Sequence, residues 1–170
     1  MRQFALILLT LAVAALSGCD LSPEPVSLSD PKIAPMLKAI AAVDRSSMGF
    51  TPIPTNARIR LEMRPRAGYD AMLHIYAATQ RTIAFRKTPD GYKWIAEQEI
   101  HYGPKMFTTG DGDFQEHVVV EYQLEPVNGI PTNQIHISYW GEDARLAGRD
   151  DLTLETIKPI LEEWKGTRIR

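Results

Sequence analysis

The sequence predicts one α+β domain over residues 30–170, an antiparallel meander of about six strands with an N-terminal and a C-terminal amphipathic helix. Three observations predict this fold class. Apolar residues recur at helical spacing after residue 30, alternate with polar residues through the middle of the chain, and return to helical spacing after residue 150. Strands that follow one another through short turns pair with their chain neighbours, so we expect an antiparallel sheet.

The first helix is expected to open at Asp30-Pro31, because aspartate caps a helix and proline suits its first turn. Its buried stripe contains apolar residues three and four positions apart: Ile33, Met36, Leu37, Ile40 and Ala41. Pro35 lies near the limit of the first turn and can move the start of the helix later. We expect the helix to end near residues 45–47.

Alternation of apolar and polar residues predicts the strands, with the clearest example over residues 57–64. Further strands are expected over residues 73–77, around Ile83 and Phe85, and over residues 92–102, 114–124 and 132–140. The sequence Thr88-Pro89-Asp90-Gly91 predicts a hairpin turn between the third and fourth of the six strands. A bulge at this turn would shift the register by one residue, so the sequence leaves open which residue faces Phe85.

Helical spacing returns over residues 150–165, where one apolar face contains Leu154, Ile157, Ile160, Leu161 and Trp164. Pro159 is expected to kink this helix or to mark its beginning. Gly166 is expected to cap the C-terminal end in the left-handed conformation. Two amphipathic helices are then available to cover the apolar face of the sheet.

The composition excludes several classes of protein. The chain has 170 residues with 19 Lys+Arg and 21 Asp+Glu, and its formal net charge is −2. This balance supplies no basic excess for neutralising phosphates, which argues against a nucleic-acid binder. The single cysteine excludes an internal disulfide and a four-cysteine zinc site.

The first residues have the pattern of a secretory signal. Arg2 gives a positive start, and the apolar run over residues 4–16 is interrupted only by Thr10. At about 1.5 Å per residue the run reaches roughly 20 Å, which is short of the ~30 Å hydrocarbon core of a bilayer. We therefore interpret residues 1–18 as a signal peptide, and not as a transmembrane helix.

The run ends in Leu16-Ser17-Gly18-Cys19, which resembles the lipobox of bacterial lipoproteins. The resemblance implies that Cys19 is diacylglycerylated, that the leader is removed before it, and that the new N-terminus is acylated. It also implies a membrane partner through a lipid anchor, with residues 19–29 as the lipidated N-terminus and tether. Asp20 resembles the inner-membrane retention signal of enterobacterial lipoproteins, so the periplasmic side of the inner membrane is favoured over the outer membrane.

A row of arginines is the first candidate surface for a ligand or partner. Arg58, Arg60 and Arg64 lie on one face of the first predicted strand, where they could bind phosphate or carboxylate groups. The alternative is cross-strand ion pairing, because glutamates lie on the polar positions of this and other strands. These glutamates are Glu62, Glu97, Glu99 and Glu121.

All four histidines fall on polar positions of predicted strands, and His101 and His117 flank one hairpin. They could meet on the open face of the sheet and bind a metal, but they share no short-spacing ligand motif, so solvated histidines are the alternative and no metal site is assigned. Asp111, Asp113 and Glu116 fail the EF-hand pattern, which favours a polar hairpin tip.

No nucleophile elbow, metalloprotease motif or P-loop occurs in the sequence, so no catalytic residue and no cofactor is assigned. Two functions follow as hypotheses. The first is a non-catalytic envelope lipoprotein that docks a protein partner through its sheet, since edge strands bind partners without leaving a motif. The alternative is a periplasmic enzyme, or a small-ligand or metal binder, that uses the polar face of the sheet.

Overall fold

The structure is a computed structural model that describes residues 22–63, 68–125 and 132–167. The predicted signal peptide, Cys19, Asp20 and Arg64 lie outside the described residues. Within these ranges, neither helix has the length and apolar content that crossing a membrane requires.

The described residues form seven strands and two helices. In chain order these are β1 (Glu24–Val26), α1 (Ala34–Ala41), β2 (Arg58–Met63), β3 (Ala71–Tyr76), β4 (Gln80–Thr88), β5 (Gly91–Thr109), β6 (Gly112–Gln123), β7 (Ile135–Trp140) and α2 (Leu154–Thr167).

The strands form one antiparallel sheet in the order β1-β2-β3-β4-β5-β6-β7, so each strand pairs with its neighbours in the chain. The predicted α+β class and the antiparallel meander are confirmed, but the predicted count of about six strands is wrong. The seventh strand, β1, comes from the segment that we expected to be a tether, and its Pro25 pairs with Arg60 of β2. An edge strand accepts proline, because one side of it needs no backbone donor.

Both helices pack on the same face of the sheet, since their buried residues join one cluster with the inward side chains of the strands. From α1 this cluster includes Met36 and Ile40, and from α2 it includes Ile157 and Trp164. We call this side the covered face. The opposite side, which carries Arg60 and the other alternate strand residues, has no helix over it within the described ranges, and we call it the open face.

The ends of the helices differ from the sequence prediction. Asp30 forms a turn, in which its carboxylate accepts a hydrogen bond from the Lys32 N–H at 2.9 Å, and α1 begins only at Ala34. In α2, Thr153 caps the start, and Pro159 lies inside the helix. Gly166 is helical, so the predicted left-handed cap at this residue is wrong.

A β-bulge in β5 decides which residues of that strand face the core. Ala84 pairs with Ala96 but Phe85 pairs with Trp94, so Ile95 is an extra residue in β5. Trp94 therefore faces the core, and beyond the bulge the alternation is shifted by one residue. The shift places Glu97, Glu99 and His101 on the covered face, where all three are buried, and the expectation that they lie on a polar, solvated side of the sheet is wrong.

Candidate functional site

The covered face contains a buried ion cluster of four residues, Arg45, Arg81, Glu97 and Glu99. Arg45 follows α1 and reaches the sheet, where its Nε donates to Glu97 Oε2 at 2.7 Å and a second guanidinium nitrogen donates to Glu97 Oε1. Trp94 Nε1 also donates to Glu97 Oε2, at 3.2 Å. The carboxylate of Glu97, which is 2% exposed, is thus paired with a charge and hydrogen-bonded as burial requires.

Glu99 is the second carboxylate of the cluster, and it binds the segment after Arg45 to the sheet. It accepts hydrogen bonds from the backbone N–H and the hydroxyl of Thr51 at 3.0 and 2.7 Å, and from the hydroxyl of Thr79 at 2.9 Å. Arg81 lies 3.3 Å from Glu99 and donates to the Thr51 carbonyl. Burial lowers the pKa of Arg81, an effect that the nearby glutamates oppose. Through these hydrogen bonds and ion pairs, the cluster holds residues 45–51 against the sheet.

His101 lies next to this cluster, with its Nε2 3.7 Å from Glu99 Oε1. It lines a cavity of about 310 Å³ between α2 and the segment after α1, with Lys158 and Lys165 at the rim. His117 pairs with Tyr102, the next residue of β5, so it lies on the opposite face of the sheet from His101. The structure does not bring the two predicted histidines together, and no group of three metal-ligating side chains occurs among the described residues.

Glu116 is a third buried carboxylate on the covered face. It accepts a hydrogen bond from the hydroxyl of Tyr139, which in turn accepts one from the backbone N–H of Asp143 at 2.6 Å. Burial and the hydrogen bond to Glu116 raise the pKa of Tyr139 well above its usual range. Glu116 is therefore separate from Asp111 and Asp113, which are exposed at the tip of the β5–β6 hairpin.

Of the predicted arginine row, Arg58 and Arg60 are described, and both lie on the open face in the strand next to β1. Arg58 and Arg60 are exposed, and Arg60 Nε donates to the carbonyl of Pro23 at 2.9 Å. Glu62 pairs across the strands with His74 at 2.7 Å, whereas no cross-strand ion pair of Arg58 or Arg60 with a glutamate is found among the residues that the structure describes.

The open face also has a groove at its centre, with a volume of about 310 Å³. We call it the open-face groove; its side chains come from Tyr69, Met72, His74, Thr82, Ala84, Ala96, Gln98, Glu121 and Gln123. Gln123 is 6% exposed, and its Oε1 accepts no hydrogen bond within the described part of the chain. Sequence reasoning missed this groove, because alternation puts only Ala84 on a polar strand position and the bulge at Ile95 moves Ala96 to the same face.

The strand β7 forms the second edge of the sheet. Its sequence, Ile135-His136-Ile137-Ser138-Tyr139-Trp140, contains no proline, lysine or acidic residue. In the described ranges, no backbone hydrogen bond outside the sheet ladder reaches this strand. Trp140 is 61% exposed and stacks on His117, with ring centroids 6.3 Å apart and planes at 11°. An exposed aromatic ring therefore borders this edge of the sheet.

Comparisons with protein-family models, with curated proteins and with solved structures found no match to this chain.

Proposed function

We propose that the protein is a lipid-anchored lipoprotein of the bacterial cell envelope, and that its β7 edge docks an extended segment of a protein partner. The observation that carries the docking proposal is the unprotected edge of β7, with the exposed Trp140 beside it. The anchor rests on the lipobox resemblance at residues 16–19.

The lipid anchor would hold the domain close to the membrane. Cys19 precedes the first strand residue, Glu24, by five positions, which span at most about 18 Å. Two or more acyl chains on Cys19 would make the attachment stable, whereas a single chain binds only marginally. Asp20 favours the periplasmic side of the inner membrane as the location.

The two edges of the sheet support docking at β7. Edge strands expose unpaired backbone groups, and proteins protect them with short strands, proline or charge. The β1 edge has this protection, because it is three residues long, contains Pro25 and carries the ion pair between Glu24 and Lys32. The β7 edge is six residues long and has none of these features, so it can add a partner strand through backbone hydrogen bonds.

Photo-cross-linking in intact cells tests the docking proposal. A photoreactive residue replaces Ser138, on the open-face side of the β7 edge, and in a matched control it replaces Ser47, which is exposed after α1. We expect one reproducible protein adduct from position 138 and none from position 47. The absence of an adduct at 138, or the same adduct from both positions, would overturn the proposal.

Proline substitutions test whether the contact uses the backbone. In an edge strand, successive N–H groups point alternately toward the paired strand, here β6, and toward solvent. Proline removes the N–H group, so of the two neighbouring substitutions His136→Pro and Ile137→Pro, one removes a hydrogen bond to β6 and the other removes only a solvent-facing donor. The variant with the smaller loss of thermal stability should still lose the cross-link at position 138. If that variant retains the adduct, the contact is made by side chains and strand addition is wrong.

Mass spectrometry of the protein from its native host tests the anchor. We expect the mature chain to begin at Cys19 and to carry the mass of its acyl chains, and Cys19→Ser should release the protein from the membrane fraction. A chain that retains Met1 and an unmodified thiol would contradict the anchor and the location together.

A further inference from the structure

We propose that the open-face groove binds an organic cation, a guanidinium or primary ammonium group on a short apolar stem. This inference depends neither on the lipid anchor nor on the β7 edge. It rests on three features of the groove: a floor of small apolar residues, an unpaired buried acceptor and a negative charge.

The floor follows from the register of four adjacent strands. One row across β3, β4, β5 and β6 reads Met72, Ala84, Ala96 and Gln123. The two alanines in the middle are short, so the longer side chains of Met72 and Gln123 form walls on either side. A methylene stem therefore has apolar floor to lie on, while its polar end reaches the wall at β6.

Two side chains of that wall carry oxygen acceptors. Gln123 Oε1 is buried and accepts no hydrogen bond from the described residues, although buried polar atoms are nearly always paired. The carboxylate of Glu121 lies two residues away on the same strand, where it accepts from Gln98 and lies 3.4 Å from His136 Nδ1. A ligand with several N–H donors and no acceptor is complementary to this pair of side chains.

The charge of the groove favours a cation over a neutral donor. Among the described residues that line it, none is lysine or arginine, and Glu97 directs its carboxylate to the covered face. Of the lining residues that the structure describes, only His74 carries a basic ring, and it is paired with Glu62. The negative charge of Glu121 also reaches the opposite wall, where burial and then this charge raise the pKa of Tyr69.

Calorimetric titration of the full chain in non-ionic detergent micelles tests the site. The probes are butylguanidinium and butylammonium, with pentanoate as the anion that has the same butyl stem. We expect both cations to bind at least tenfold more tightly than pentanoate. Cations that fail to bind, or that bind no better than pentanoate, would overturn the proposal.

Variants on β6 and at its end locate the binding. Glu121→Gln should weaken cation binding about tenfold and Gln123→Leu about fivefold, whereas the control Glu125→Gln should change it less than twofold. Glu125 is a matched control because it lies two residues beyond Gln123 and pairs with Arg86 and Lys93 outside the groove. Equal weakening by the control would show unspecific charge attraction and overturn the site.

Filling the groove gives a test that does not depend on removing charge. Ala96→Leu places a larger side chain on the floor and should abolish binding, and thermal unfolding of each variant checks that it is folded. If folded Ala96→Leu still binds the cations as tightly as the unsubstituted chain, the groove is not their site.

A second ligand shows whether the cation is the side chain of a protein partner or a free small molecule. A blocked tripeptide with a central arginine is titrated beside butylguanidinium. Tighter binding of the tripeptide assigns the groove to an arginine side chain of a protein partner, and tighter binding of the free cation assigns it to a small molecule. Both results support the site, and binding of neither would overturn it.

Discussion

On the covered face of β5 the carboxylates of Glu97 and Glu99 are buried against arginines and hydroxyls, whereas on the open face of the neighbouring β6 the buried oxygen of Gln123 has no donor in the described chain. Strands β4 and β5 contribute residues to both faces, because Arg81, Glu97 and Glu99 belong to the ion cluster while Ala84 and Ala96 line the open-face groove. The difference separates polar groups that are fully paired within the fold from one that is not. We therefore interpret the covered face as structural and keep the open face as the face of the proposed cation site.

Removing a charge from the covered face should have the largest effect. Glu97→Ala leaves the guanidinium of Arg45 buried without its carboxylate, and we expect it to lower the free energy of unfolding by about 3–5 kcal/mol. Chemical denaturation monitored by tryptophan fluorescence measures this loss. Replacing both partners, with Arg45→Met and Glu97→Leu together, should recover most of it, because no unpaired charge is then buried.

The matched control for this change is Glu162→Ala, which removes one partner of the exposed ion pair with Lys165 at the end of the chain. Its free energy of unfolding should remain close to that of the unsubstituted protein. If Glu97→Ala were no more damaging than this control, the buried ion cluster would have no structural role and the contrast between the two faces would be lost.

Hydrophobic periodicity was sufficient to predict most of the fold. The six predicted strands correspond to β2 through β7, and the apolar stripes of both helices supply the core residues Met36, Ile40, Ile157 and Trp164. These predictions succeed because periods of 2 and 3.6 residues are local properties of the chain. β1 was missed because three residues that include a proline have no detectable period, and only pairing with β2 makes them a strand.

The sites were less predictable, because they depend on register. Alternation alone places Glu97, Glu99 and His101 on the polar side of β5, and a single extra residue, Ile95, reverses that placement. The same bulge aligns Ala84 with Ala96 and so creates the floor of the open-face groove. A bulge depends on contacts with neighbouring strands, which are distant in sequence, so composition and spacing do not reveal it.

A smaller loss of stability is expected from a substitution at Gly103, where the backbone lies close to the buried carboxylate of Glu116. A Cβ atom on Gly103 would lie 2.7 Å from Glu116 Oε2, so Gly103→Ala must displace a buried side chain and should cost about 1–3 kcal/mol. The control is Gly110→Ala at the tip of the same hairpin, where a Cβ meets no atom within 4 Å. Thermal unfolding compares them, and equal stability of the two variants would show that the covered face tolerates added volume.

The smallest effect is a change in pKa that distinguishes two tyrosines, one on each face. Glu121→Gln should lower the pKa of Tyr69 toward, but not to, its usual value, because burial is the larger cause of the increase and the charge of Glu121 the smaller. The pKa of Tyr139 should stay where it is, since its neighbours are Glu116 and Asp143. Titration of both rings by NMR with labelled tyrosine measures the two values in one sample.

This titration also has a consequence for stability. In the folded state the pKa of Tyr69 and that of Tyr139 both lie above the unfolded value near 10, so the stability that each contributes is complete below about pH 10 and is lost as the pH rises further. Glu121→Gln should therefore slightly reduce the loss of stability above about pH 10, because it lowers the pKa of Tyr69 and leaves that of Tyr139 unchanged. A shift of Tyr139 in place of Tyr69 would mean that the charge of Glu121 acts through the sheet, and the two faces would then not be electrostatically separate.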